Sequence, residues 1–370
     1  MNLLMISGDR SLARDMHGAF FSMLTEFSKH FGRIDIVCPH ASGIRSPDEN
    51  GMEVLPNVFV HPSPYGLLRQ PFWILSRGSA LIKKHRHEMM TVQEYPPFYN
   101  GIGAILLKRR TGIAGCLEVH HVIGWPKAAS VSELIGRWLS KLLLGIDAMQ
   151  FESVRTVNET AKQLLVSFGV PAARVHTVPS AYLDHDLLGQ DPVVIKRYDV
   201  CFCARLSPNK GLLAVIEAMV LLPQKTLLVI GEGPVKAAAI AAAKRLGISD
   251  RITFAGWMKT PADVTHAMRS GHVFVMNSLS EGGPRTALEA MACGLPVVST
   301  MVGVMPDVIQ DGKNGFITTG TPRDLATKIG SLLTDGELSA RIGVSAKDVL
   351  LRFERTSAIR AYADFLKRTV

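Results

Sequence analysis

Short apolar runs recur along most of the chain, each followed by a longer stretch with helical spacing, and this alternation most constrains the fold. Leu3-Leu4-Met5-Ile6 reads as a strand closed by Ser7-Gly8, a helix follows from about Asp15 to Phe31, and Ile34–Cys38 reads as the next strand. Strands near Met90–Val92, Cys116–Val119 and Ala148–Phe151 then interleave with helices near 101–108 and 132–144. Strands separated by helices pair in parallel through right-handed crossovers. The pattern pauses after Pro179 and restarts at Val200, continuing through strands at Thr226–Ile230, Ile252–Phe254, Val273–Met276 and Val297–Ser299. The expected fold class is α/β, with two Rossmann-like doubly wound domains facing each other across a cleft. Their bounds are 1–183 and 199–352, with a charged, aperiodic linker at 184–198 and a C-terminal helix, 353–370, crossing back to the first domain. At 370 residues and 47% apolar content the chain can fill two cores.

The charge balance, 41 Lys plus Arg against 32 Asp plus Glu, favours anionic partners. The basic residues form no stripe interleaved with aromatics, so no nucleic-acid partner is expected. None of the five cysteines sits in a CxxC pair, and Cys201 and Cys203 alternate to one face of a buried strand. Reduced, buried thiols place the protein in the cytoplasm. Asp9 and Arg10 interrupt the apolar N-terminus before a signal-peptide core forms, and no uncharged apolar run approaches the roughly 18 residues of a membrane span. Residues 66–87 mix Leu67, Leu68, Phe72 and Trp73 with Arg69, Arg77, Lys83, Lys84 and Arg86. That pattern suits peripheral contact with an anionic membrane, and equally a helix packed on its own sheet. His85 and His87 fit a basic helix face better than a metal site.

The segment from Ser280 to Val298 carries most of the chemistry. A strand ends at Asn277, a loop holds Gly282 and Gly283, and Pro284 opens a helix that Gly294 and Pro296 close. Free amides at such a helix start bind an anion. Glu281 and Glu289 would repel a phosphate, so each suits neutral hydroxyls, and an anion flanked by polyols describes a sugar nucleotide. Arg205 and Lys210 follow the first strand of the second half and lie at the same carboxyl edge, where ligands of such sheets bind. Asp184-His185-Asp186 starts the linker, and no metal is expected there. Gly231-Glu232-Gly233 lacks the third glycine of a dinucleotide fingerprint.

The spacing of Glu281 and Glu289 followed by AMACGLPVV, with ARLSPNKG, LLVIGEGP, ITFAGW and GVMPDVIQDGKNGF in register, closely resembles glycosyltransferase family 4. These are retaining enzymes of the GT-B fold, and the resemblance is strongest over about residues 200–320. It implies that Glu289 holds the ribose hydroxyls, Glu281 contacts the transferred hexose, and Arg205 and Lys210 bind the diphosphate. The donor side would include Gly282, Gly283, Pro284, Arg285 and Gly231, with Gly256 and Trp257 bordering the base. In the first half it assigns a catalytic histidine to His120, with His121 and Gly8 on the acceptor side. Ala204 stands where the family carries glycine, and Ser180-Ala181 where Asn-Gly is common.

The activity so implied is transfer of a hexose from a UDP- or GDP-linked donor to an acceptor hydroxyl on a sugar, glycan or lipid-linked carrier. It would serve glycan, glycolipid or polysaccharide biosynthesis without metal or other cofactor, at the inner face of the membrane. A sugar-nucleotide epimerase and a non-catalytic sugar-nucleotide-binding protein at the membrane surface are the competing readings.

Overall fold

The computed structural model describes residues 1–16, 18–43 and 50–369. Residue 17, inside the expected first helix, lies outside them; the helix runs Ala19–Phe27. Two compact units divide the chain: residues 1–123, 135–180 and 356–370 form the first, and 124–134 with 181–355 the second.

Among the described residues the first unit holds one eight-stranded sheet. Its strands are β1 (Asn2–Ile6), β2 (Arg33–Cys38), β3 (Met52–Leu55), β4 (Val58–Pro62), β5 (Met89–Gln93), β6 (Ala114–Val119), β7 (Ser153–Thr156) and β8 (Val175–Thr177). The spatial order is β3-β4-β2-β1-β5-β6-β7-β8, parallel throughout except for the antiparallel β3–β4 edge pair. Leu4, Ile6, Met90, Val92, Leu117 and Val119 build the core on one face. Leu3, Met5, Ile34, Ile36 and Met89 point to the other, where Ile359, Tyr362, Phe365 and Leu366 of the helix Arg355–Thr369 cover them. The Tyr362 ring stacks on Phe27 with centroids 4.7 Å apart.

The second unit holds a parallel six-stranded sheet of β9 (Tyr198–Cys203), β10 (Leu227–Ile230), β11 (Ile252–Gly256), β12 (Gly271–Met276), β13 (Val297–Thr300) and β14 (Phe316–Thr318). Its order is β11-β10-β9-β12-β13-β14. Val200 and Phe202 face one core while Cys201 and Cys203 face the other, the period-2 alternation of a strand buried on both sides. Each unit is thus a largely parallel sheet with helices on both faces, the doubly wound α/β class expected from the sequence.

Four local expectations need correction. Ala148 ends a long helix, Val131–Ala148, and the strand expected at 148–151 begins instead at Ser153. The apolar Phe151 that suggested a strand is a turn residue buried in the core. Residues 184–198 are not a free linker. Asp184 caps a one-turn helix, His185–Leu188, by accepting from the Leu187 amide at 3.2 Å, and Leu188 joins the second unit's core. Residues 124–134 belong to the second unit, where Pro126 bridges Ser280 and the Lys127 amide donates to Leu279 O at 3.3 Å. Within 66–87, the helix Gln70–His85 packs Ile74, Gly78 and Leu81 inward. His87 lies beyond it, its Nε2 2.8 Å from Asp35 Oδ2, while His61 Nε2 meets Asp35 Oδ1 at 2.7 Å. A buried carboxylate needs such partners, so His87 is a core residue.

Candidate active site

Two loops at the carboxyl edge of the second sheet are tied together by backbone chemistry. β9 runs into Ala204-Arg205 and a 3-10 turn at Pro208–Lys210, closed by Gly211 at φ 66°. A β-carbon on Gly211 would lie 2.2 Å from Asn277 O, so only glycine lets this turn press against the end of β12. Asn277 Nδ2 donates to Gly211 O at 3.1 Å, and the Leu279 amide donates to Asn209 O at 2.7 Å.

Beyond this seam the Ser278–Pro284 loop leads into the helix Arg285–Ala292. Pro284 is the N-cap rather than the first helical residue, with φ −69° and ψ 86°. A cavity of about 410 Å³ opens here, lined by Cys203, Ala204, Arg205, Lys210, Trp257, Met276, Ser278, Glu281, Gly283, Pro284, Arg285 and Thr286. Seven of the expected donor-site residues therefore share one cavity. Gly282 lies between two of its lining residues.

Two ion pairs form at this cavity. Lys210 Nζ donates to Glu281 Oε1, which also accepts from Ser278 Oγ at 2.8 Å. Arg285 Nε donates to Glu289 Oε1 at 2.8 Å, one helical turn along. Glu289 itself does not line the cavity and sits behind Arg285. Burial pushes its carboxyl above the usual range, against the pull of Arg285. The Arg285 guanidinium also lies 5.0 Å from the centre of the Tyr182 ring. Tyr182 is buried beside Arg355, and Arg355 pairs with Asp184. Nothing in the local pattern around Tyr182 marks it, because its partner lies about a hundred residues downstream.

Gly231 and Gly256 stand outside the cavity lining but hold its floor. The Gly231 amide donates to Gly256 O at 2.8 Å, and with φ 127° a β-carbon on Gly231 would meet Ala204 O at 2.0 Å. That close approach keeps the ends of β9, β10 and β11 together.

In the first unit, Glu118 is buried at the end of β6, accepting from Arg155 Nη1 at 3.0 Å and from the Tyr362 hydroxyl. Burial alone would raise its carboxyl; Arg155, His120 and Tyr362 instead hold it at about 2. His120 Nε2 lies 3.7 Å from Glu118 Oε2, and His121 is exposed. Gly8 packs under Tyr95, whose hydroxyl would be 2.1 Å from a β-carbon there. Glu118, Arg155 and Tyr95 are absent from the sequence-derived site because their partners are set by packing.

Residues 190–349 match the family model described as glycosyl transferases group 1. Over 383 residues the chain is 26% identical to a GDP-mannose-dependent alpha-(1-6)-phosphatidylinositol monomannoside mannosyltransferase from Mycobacterium tuberculosis (strain ATCC 25618 / H37Rv), covering 95% of this chain and 94% of the relative. A protein of the same description from Mycolicibacterium smegmatis is 29% identical over 85% of this chain and 84% of its own length. Among solved structures, HepE from Anabaena in complex with UDP superposes with a TM-score of 0.76 at 19% identity, covering 100% of both chains. Sucrose-phosphate synthase from Thermosynechococcus elongatus gives 0.83 at 17% identity, covering 100% of this chain and 98% of that one. At such identities the structural likeness is one of fold.

Proposed function

We propose that this chain, a glycosyltransferase whose residues 190–349 match the group 1 family model, moves mannose from a GDP-linked donor to a hydroxyl of a lipid-borne glycan, with retention at the anomeric carbon. The observation that carries the donor half is the cavity in which Arg205, Lys210, Arg285 and the start of the Arg285–Ala292 helix converge. Cations and helix amides there meet a diphosphate and stabilise the charge that grows as it leaves. The choice of GDP-mannose and of a lipid-borne acceptor rests on the mycobacterial relatives, which align over 95% and 85% of the chain.

In this reading Lys210 exchanges Glu281 for the diphosphate when donor binds, releasing the Glu281 carboxylate for hexose hydroxyls. The bond from C1 to the β-phosphate oxygen breaks as the acceptor oxygen bonds to C1 from the same face, and the acceptor proton passes to the departing phosphate. His120 serves the acceptor side. Protein cations carry the charge, so the reaction takes no metal. The five free thiols fit a cytoplasmic setting.

A panel of GDP- and UDP-sugars offered with a mannosylated lipid acceptor tests this, with products read by NMR. GDP-mannose turnover giving an α-linked product is expected. A preference for UDP-sugars would overturn the donor assignment, and epimerised free donor would overturn the reaction.

A further inference from the structure

The helix Val131–Ala148 is apolar on two opposite sides. Gly136, Ser140, Leu144, Asp147 and Ala148 face its own sheet. On the outer side Ile135, Trp138, Leu142 and Ile146 repeat at helical spacing, and Met149 follows just past the helix end; all five are exposed, Trp138 by 64%. A surface helix ordinarily turns charged residues outward, so a stripe of this kind lacks its partner. Lys141 is exposed along the flank of the stripe.

Neighbouring helices extend the surface. The connections β4 to β5, β5 to β6 and β6 to β7 all advance in one direction across the sheet, so right-handed crossovers put their helices on the same face. One core layer confirms this, since it holds Ile74, Leu107 and Leu144 from those three helices. At their N-terminal ends Leu68 (79% exposed), Phe72 and Ile102 point outward, with Arg69 exposed beside Leu68. Arg109 and Arg110 are exposed farther along the middle helix.

We propose that this face, centred on Trp138 and Leu142, docks on an anionic lipid bilayer. Segment 66–87 supplies only its edge. The occupant follows from charge: a chain of net charge +9 is drawn to an anionic surface and repelled by a second copy of itself. Trp138 among aliphatic side chains, with lysine and arginine at the margin, matches the layering of a membrane interface, where the helix lies in the plane. No helix among the described residues is long and apolar enough to cross the membrane. The surface stands whichever donor the second unit takes.

Co-sedimentation of the full chain with phosphatidylcholine vesicles, with and without a quarter phosphatidylglycerol, tests the proposal alongside a Trp138→Ser/Leu142→Ser variant. Binding to the anionic vesicles is expected, weakened by salt and reduced about tenfold or more in the variant, since two large apolar side chains no longer enter the interface. An unchanged melting temperature and GDP-induced thermal shift in the variant show that its fold is intact. Absence of binding to anionic vesicles, or equal binding by the variant, would overturn the proposal. A dimer of the parent chain in sedimentation velocity that the variant abolishes would overturn it too, by assigning the face to a second copy.

Discussion

Arg285 reaches Glu289 across one helical turn, Nε to Oε1 at 2.8 Å, so the acid that the family resemblance assigns to ribose recognition stands behind a cation that lines the proposed donor cavity. Glu289→Gln keeps the shape but removes the charge opposing Arg285. Donor KM should rise about tenfold or more with kcat within about twofold, because a hydrogen bond to a charged group is worth roughly 1.5–3 kcal/mol. Steady-state kinetics against donor concentration measure this, and an unchanged KM would remove Glu289 from donor binding.

Tyr182 sets the other side of Arg285. Loss of the ring in Tyr182→Leu should raise donor KM several-fold, while Tyr182→Phe, which keeps the face under the guanidinium, should recover most of it, since a cation–ring contact contributes about 0.5–2 kcal/mol. A Phe variant as impaired as Leu would shift the role to the hydroxyl.

Lys210 and Glu281 share a contact and should not act additively. Each alanine variant alone is expected to lower kcat by roughly 10²–10³-fold, the range for losing one transition-state contact. The double variant should be little worse than either single one. Multiplying effects in single-turnover assays would show that the two residues act independently.

Glu94 and Asp147 make the first unit sensitive to alkali. Burial raises the Glu94 carboxyl to about 8 and that of Asp147 to about 6, and both have an oxygen within 3.0 Å of where a β-carbon on Gly101 would sit. A carboxyl raised on folding stabilises fully below its unfolded value of about 4, and that contribution drains as pH rises through the folded value. Urea midpoints should therefore fall between pH 5 and 8.5, and Glu94→Gln should flatten the decline. An equal slope in the variant would trace the loss to other groups. Glu118, held at about 2, acts in the opposite sense: its contribution is present above about 4 and is lost as pH falls toward 2.

Tyr362 ties the C-terminal helix to that carboxylate. Tyr362→Phe leaves a buried acceptor short of one donor and should cost about 1–3 kcal/mol. Arg155→Met, which leaves the charge unpaired, should cost about 3–5 kcal/mol. Denaturant unfolding of both variants measures the difference, and the reverse ranking would show the hydroxyl to be the dominant partner.

The local chemistry of the chain was legible before any coordinates. Short apolar runs marked β1, β2, β5, β6, β9, β10, β11, β12 and β13, and the turns after β9 and β12 placed Arg205, Lys210 and Glu281 at one sheet edge, because strand direction alone dictates which end carries them. Backbone preference and side-chain spacing are properties of neighbouring residues, and so they can be read in order along the chain. Packing decided everything that joins distant residues. It set Tyr182 under Arg285, Tyr362 against Glu118 across 244 positions, and His87 on Asp35 rather than on a helix face. It also decided which side of the Val131–Ala148 helix was buried. That helix is apolar on both sides, so its periodicity names no inner face, and only the sheet beneath it leaves Trp138 in the open.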